Sequence, residues 1–367
     1  MILTCPGGSL RISAGGPTGT PIAVIERVTP SDRILGVLLG TAIGDSIGLP
    51  FEGLSPARVR RRLSRRPLGH SLVLGHGMLS DDTEHTAMVA HSLLRSGAEP
   101  SQFARELARR LRWWVLALPP GVGLATLRGA LRLWLGWSPQ RSGVDSAGNG
   151  PAMRAALLGL WARDDEHLVE LVRASSRLTH TDPRAESGAR LVARWARAAD
   201  APHSELVEIA QRVEDEDFRS RVLAAMEAAR GSMDLDALRP RLGYERGVTG
   251  FVVHTLPAVG LCWLRYRDRP RDAIEAAVRL GGDTDTVAAI VGALFGAHKG
   301  ASRLPAEWIH GIADWPVGVP YLRALAEAMA TGEPQEVRLP PWWGQVARNL
   351  VLMTVVVVHV LARMLGR

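Results

Sequence analysis

Three short acidic stretches hold most of the side chains that could do chemistry. In "LGGDTDTVAAIVGALFGA", Asp283 and Asp285 stand two apart, with Thr284 and Thr286 between and after them, at the mouth of a long apolar run. In "MLSDDTEHTAM", Ser80, Asp81 and Asp82 open another apparent helix, and "GTAIGDSIGLPFEG" carries Asp45 inside a helix and Glu52 just after a Gly/Pro turn. Taken singly, each has a plain explanation: Ser80 and Asp283 as N-caps, Asp81 and Asp82 complementing a helix dipole, Glu52 on a surface loop. Together they carry more negative charge than capping needs, and such clusters repel unless a cation neutralises them. Carboxylate and hydroxyl oxygens without cysteine suit Mg²⁺, Mn²⁺ or Ca²⁺ rather than Zn²⁺. If the two helix starts face each other, they suffice for two ions, which lie about 3.5–4 Å apart in two-metal sites.

The elements that must position these residues read as helices. "DRILGVLLGTAIGDSIG" puts Ile34, Leu38 and Ala42 on one stripe and stops at Gly48–Pro50. Further helices are expected at 80–95, 101–118, 151–177, 184–200, 203–230, 249–267, 270–280, 286–299 and 317–330, bounded by Gly, Pro, Ser or Asp. No stretch alternates long enough for a sheet and no fixed-period repeat is visible, so the expected class is all-α, a compact helical array.

At 367 residues and 46% hydrophobic, the chain can bury one large core with extensions, since single cores rarely pass roughly 250–300 residues. The expected divisions are a flexible Gly/Pro-rich lead-in over 1–30, a catalytic domain over 31–331, and a linker with an apolar helix over 332–367. The net charge of +7 comes mostly from arginines in helix-spaced positions. The cluster "RVRRRLSRRP" lacks interleaved aromatics, so nucleic acid is not an expected partner. Two cysteines exclude a disulfide framework, and the N-terminus has neither the charged nor the apolar segment of a secretory signal, so a reducing, cytoplasmic setting is expected. Near the C-terminus, 14 uncharged residues run from Asn349 to Ala362 between two arginines, short of the about 20 that a span requires. With Trp342 and Trp343 beside it, 341–367 suits an interfacial helix in peripheral membrane contact, or one packed on the domain or on a second copy.

The order of motifs gives a resemblance. G-x-x-x-G-D-x-x-G-x-P-x-E, then S-D-D-T, G-N-G-P-A-M-R, T-H-T-D-P and G-G-D-T-D-T-x-A-A-I-x-G-A together resemble the ADP-ribosylglycohydrolase family, across roughly 31–303. The resemblance implies an all-α fold of orthogonal helices, two Mg²⁺ or Mn²⁺ ions, and hydrolysis of the glycosidic bond to ADP-ribose, with an ADP-ribosylated protein or conjugate as partner. It implies that Ser80, Asp81, Asp82, Asp283, Asp285 and Thr286 are metal ligands. Glu52 would be the acid/base or gating carboxylate, with Asp82 and Asp285 its catalytic companions. It also implies a phosphate-contacting loop in "SAGNG", with Ser146, Gly148, Asn149 and Gly150, and a cleft histidine in His180. Each keeps an alternative: Asn149 and Gly150 as a turn before Pro151, His180 as an ordinary loop histidine, Asp45 as an orienting group, and Tyr244 as a base-stacking ring or nothing. Two rivals for the whole chain are a non-catalytic ADP-ribose binder and a metal-dependent phosphohydrolase. The second lacks the expected His-Asp pairs.

Overall fold

The computed structural model describes residues 8–12, 23–332 and 337–364. Its described helices are α1 Pro30–Gly48, α2 Pro56–Leu63, α3 Asp81–Ser96, α4 Pro100–Leu116, α5 Leu124–Trp134, α6 Gly150–Met153, α7 Ala156–Trp161, α8 Asp165–Ser176 and α9 Pro183–Arg197. There follow α10 His203–Gln211, α11 Glu216–Arg230, α12 Leu235–Arg241, α13 Val252–Arg265, α14 Pro270–Leu280, α15 Thr284–Lys299, α16 Ala306–His310, α17 Val319–Thr331 and α18 Trp342–Met364. The all-α class stands. In the N-terminal extension, where a flexible lead-in was expected, β1 Gly8–Ile12 and β2 Ala23–Arg27 pair antiparallel, Gly8 opposite Arg27.

Two expected long helices are broken. The 151–177 segment is three helices, because the chain turns at Arg154, whose side chain goes inward, and again at Ala162. The 203–230 segment is two, because Asp215 caps a new helix by accepting from the Phe218 amide at 2.8 Å. Helices α2, α5, α12 and α16 were not expected. Tyr244 lies in the core with its hydroxyl on the His254 carbonyl at 3.0 Å, so it is not free to stack on a base.

The centre of the molecule is the antiparallel pair α1 and α15. Thr29 caps α1 by accepting from the Asp32 amide, and Pro30 opens its first turn. Gly36, Gly40, Gly44 and Gly48 recur every fourth residue and meet Gly296, Gly292, Ala288 and Asp285 in turn. A β-carbon on Gly40 would overlap the Gly292 carbonyl, and one on Gly44 the Ala288 carbonyl, so side chains larger than hydrogen would force the backbones apart. Around this seam Val37, Leu38, Leu39, Ile43 and Ile47 are fully buried, each worth about 1.5–3 kcal/mol of transfer free energy. The seam brings the C-terminal end of α1, with Asp45, against the acidic start of α15.

Candidate active site

The turn after α1, the start of α3, the loop before α6 and the start of α15 meet at a cleft of about 580 Å³, whose wall is completed by the segment around Pro120–Thr126, by His180 and by Val248–Gly250. Eleven of the twelve residues singled out in the sequence line it: Glu52, Ser80, Asp81, Ser146, Gly148, Asn149, Gly150, His180, Asp283, Asp285 and Thr286. The twelfth, Asp82, sits one layer behind. Its Oδ2 accepts from Thr286 Oγ1 at 3.2 Å and from Ser80 Oγ at 3.3 Å, so it ties the two helix starts together.

Asp45 sets the α3 start. Wholly buried, it accepts from the Ser80 amide at 2.9 and 3.0 Å, from the Thr83 amide at 3.2 Å and from Thr83 Oγ1 at 2.5 Å. It orients the turn that carries Ser80–Asp82, as the alternative reading had it. The α15 start is set by Gly281 and Gly282, at φ 71° and 80°. A β-carbon at Gly282 would overlap the Val248 carbonyl, so only glycine lets the two strands of chain lie this close. Gly53 N donates to Gly282 O at 2.8 Å and Gly282 N to Leu54 O at 2.9 Å, which holds the Glu52 turn beside Asp283 and Asp285. Glu52 itself is exposed on the rim.

On the opposite wall, Asn149 Nδ2 donates to Asp283 Oδ2 at 2.6 Å and to Thr255 Oγ1 at 3.0 Å. Asn149 is thus a positioning group for an acidic residue and more than a turn former. His180 is buried, with Nδ1 on Thr179 Oγ1 at 2.8 Å, and its ring fills the space that β-carbons at Gly148 and Gly150 would need. Burial, then the nearby Arg154 charge, brings its pKa down to about 3, so it lines the cleft as a neutral imidazole. Arg154 is the functional residue that sequence reasoning missed. Fully buried, it donates to His85 Nδ1 at 2.8 Å, to the Ser175 carbonyl at 3.0 Å and to Thr179 Oγ1 at 3.0 Å, and so fixes the Thr179–His180 pair from behind. The only signal for it was its place at the end of "GNGPAMR".

The electrostatics are those of crowded acids. Burial first, then mutual repulsion, raises Asp81 to about 8 and holds Asp82 and Asp285 well above the usual carboxylate range. Burial alone raises Asp45, to about 6, and Asp283, against the pull of their hydrogen bonds. Asp82 Oδ1 and Asp285 Oδ1 are buried without a hydrogen-bond partner. An unpaired buried acceptor costs about 1–3 kcal/mol, so these two oxygens are fitted to a ligand that donates or coordinates. Among the described residues no three Asp, Glu, His or Cys side chains already converge as an ion cage. Asp283 accepts from the Asn149 amide and Asp82 from the Thr286 hydroxyl. The donor set, four carboxylates with the Ser80 and Thr286 hydroxyls, is the chemistry of hard divalent cations.

The ADP-ribosylglycohydrolase sequence profile matches residues 26–338. The chain belongs to the ADP-ribosylglycohydrolase family. It is 26% identical over 291 residues to the ADP-ribosyl-[dinitrogen reductase] glycohydrolase of Rhodospirillum rubrum, covering 76% of this chain and 89% of that one. It is 29% identical over 314 residues to an ADP-ribosylarginine hydrolase of Pseudomonas putida, with 83% and 79% covered. A solved ADP-ribosylglycohydrolase-related protein complex superposes with a TM-score of 0.62 at 29% identity, covering 83% of this chain and 99% of that chain. As a family member this chain is a hydrolase of ADP-ribose conjugates, and the cleft built from the two acidic helix starts is its candidate active site. The matched region ends at residue 338, before α18 begins at Trp342.

Proposed function

We propose that this chain cleaves the N-glycosidic bond between ADP-ribose and arginine side chains of modified proteins, using two Mg²⁺ or Mn²⁺ ions held at the facing helix starts. The observation that carries the reading is the pair of buried, unpartnered oxygens, Asp82 Oδ1 and Asp285 Oδ1, on two acidic turns that Thr286 and Asp82 hold together. Ser80, Asp81 and Asp82 from α3, with Asp283, Asp285 and Thr286 from α15, would hold the ions. The chemistry that such ions supply is neutralisation of the acidic cluster and polarisation of an oxygen. The exposed Glu52 carboxylate on the rim, beside Asp285, suits the cationic guanidinium of a modified arginine; the Pseudomonas putida relative, named for arginine, supports that linkage.

The remaining work falls to side chains of the cleft. The Ser146–Gly150 loop, which lines the cleft with Gly148 and Gly150 packed against the His180 ring, receives the diphosphate. The neutral His180 ring positions the sugar side of the ligand without adding charge. In the hydrolytic step the oxygen of water bonds to the anomeric carbon as the carbon–nitrogen bond breaks, and the bonding pair leaves with nitrogen. Glu52 takes the proton of the attacking water and returns it to the departing guanidine nitrogen.

Two substitutions separate the roles. Asp285→Ala should abolish Mn²⁺ binding by calorimetry together with turnover. Glu52→Gln should bind Mn²⁺ like the parent yet lose about 10²–10⁴-fold in kcat. Full kcat in Glu52→Gln would remove the proposed proton transfer.

A further inference from the structure

Helix α18 is amphipathic in the wrong sense for a helix facing water. Its inward face carries the polar groups: Arg348 pairs with Asp314 at 2.5 Å and with Glu84 at 3.5 Å, and Asn349 Nδ2 donates to the Ala117 carbonyl at 2.8 Å. His359 meets the Pro50 carbonyl at 3.2 Å and Arg62 at 3.3 Å. Its outward face is a stripe at helical spacing, Trp343, Leu350, Val351, Val357, Val358 and Leu361, each between 49% and 67% exposed. A solvated helix shows the reverse arrangement, and an exposed contiguous apolar surface of this kind marks an interaction site.

The sequence of this segment carries one sign of charge: from Val337 to Arg367 there is no Asp or Glu, while Arg338, Arg348, Arg363 and Arg367 occur, Arg348 being the buried one. Arg62 ties the far end of α18 to α2, whose neighbourhood exposes Arg58, Arg60, Arg61, Arg65 and Arg66. At the near end Trp343 and Trp315 pack at 5.5 Å with both rings more than half exposed, the amphipathic aromatic pair favoured at a lipid–water boundary.

We propose that α18 and the arginines of α2 form a docking surface for an anionic lipid bilayer, with α18 lying in the plane of the interface. An apolar face combined with a polybasic patch supplies the two signals that stable peripheral attachment needs. A second copy on the same face would set these arginines against themselves. A transmembrane orientation would pull Arg348 away from Glu84 and Asp314 and leave both carboxylates buried without their cation. Pro50 and Ala117, which α18 grips, lie on the segments that run into the cleft wall at Glu52 and at Pro120–Thr126, so the docked enzyme works beside the lipid surface.

The test is flotation of the full-length protein with phosphatidylcholine vesicles, with and without phosphatidylglycerol, at low and high salt. The expected result is flotation with phosphatidylglycerol vesicles, released by salt and by carbonate. Val351→Glu with Val358→Glu should weaken partitioning at least about tenfold, and Arg61→Glu with Arg65→Glu should remove the preference for anionic lipid, both with the parental melting temperature. Four results overturn the proposal: no flotation with either vesicle, equal flotation with both, attachment that survives carbonate, or a dimer in solution that Val351→Glu dissociates.

Discussion

Helices α1 and α18 have the same mean hydropathy over their most apolar stretches, yet 89% of the first stretch is buried and 22% of the second. Both pass as long and apolar enough to cross a membrane by length and composition alone, the second only because Arg348 is counted inside the stretch, ahead of the 14 uncharged residues. What separates them is the placement of their small and polar residues. In α1 a glycine every fourth position lets the backbone lie against α15, and Asp45 is spent on the Ser80 and Thr83 amides. In α18 Arg348 and Asn349 face inward beside Leu352, while most of its valines and leucines face out. Total hydropathy thus says how much apolar surface a helix offers; the spacing of its exceptions says where that surface goes.

The comparison breaks most severely at the seam. Gly40→Leu should cost more than about 3 kcal/mol and leave little folded protein by circular dichroism, because the overlap is with backbone that cannot repack. Folding of that variant to parental stability would mean that the close approach of α1 to α15 is not real.

Arg348→Met should cost about 3–5 kcal/mol in a urea melt, since Glu84 and Asp314 would stay buried without their cation. The same substitution should lower kcat, because Asp314 Oδ2 also receives the Leu79 amide at 2.7 Å, one residue before Ser80. A stable variant would make α18 a passenger.

The acidic cluster predicts a pH effect with a definite sign. The Asp81 carboxyl is raised from 3.8 to about 8, so between those values the folded state binds more protons than the unfolded one. In EDTA, stability should therefore be highest at low pH within this window and fall as pH rises towards 8. Mn²⁺ should restore it, and most strongly at the alkaline end. Thermal melts at pH 5 and pH 8 with and without the ion check this. A chelated protein that gains stability with pH would contradict it.

The smallest effect belongs to the outer face of α18. Val357→Thr and Val358→Thr should each change stability by less than about 0.5 kcal/mol, as for other exposed positions. A cost comparable to that of Arg348→Met would show that the face is covered in the isolated protein.

The candidate site was legible in the sequence where its residues are local. Ser80–Asp82 and Asp283–Thr286 each fall within one helical turn, and glycine and proline mark the Glu52 turn and the Ser146–Gly150 loop, so type and spacing announce them. Their convergence on one cleft depends on the α1–α15 seam, which single-sequence periodicity does not show. Arg154 escaped because its value lies in partners 21 to 69 residues away in sequence. The break at Arg154 escaped with it, since an apolar run with helical spacing reads through a turn that only the buried guanidinium explains. Tyr244 failed the other way: a phenol in a Gly-rich stretch looked available, and burial against α13 took it out of reach.

The most direct measurement is release of free ADP-ribose from an ADP-ribosyl-arginine protein by the purified full-length chain, in Mn²⁺ and in EDTA, beside Asp285→Ala. The site described here predicts release in Mn²⁺, loss of about 10³-fold or more in EDTA and in the variant, and no release from unmodified nucleotide controls. Release that is undiminished by EDTA and by Asp285→Ala would contradict it.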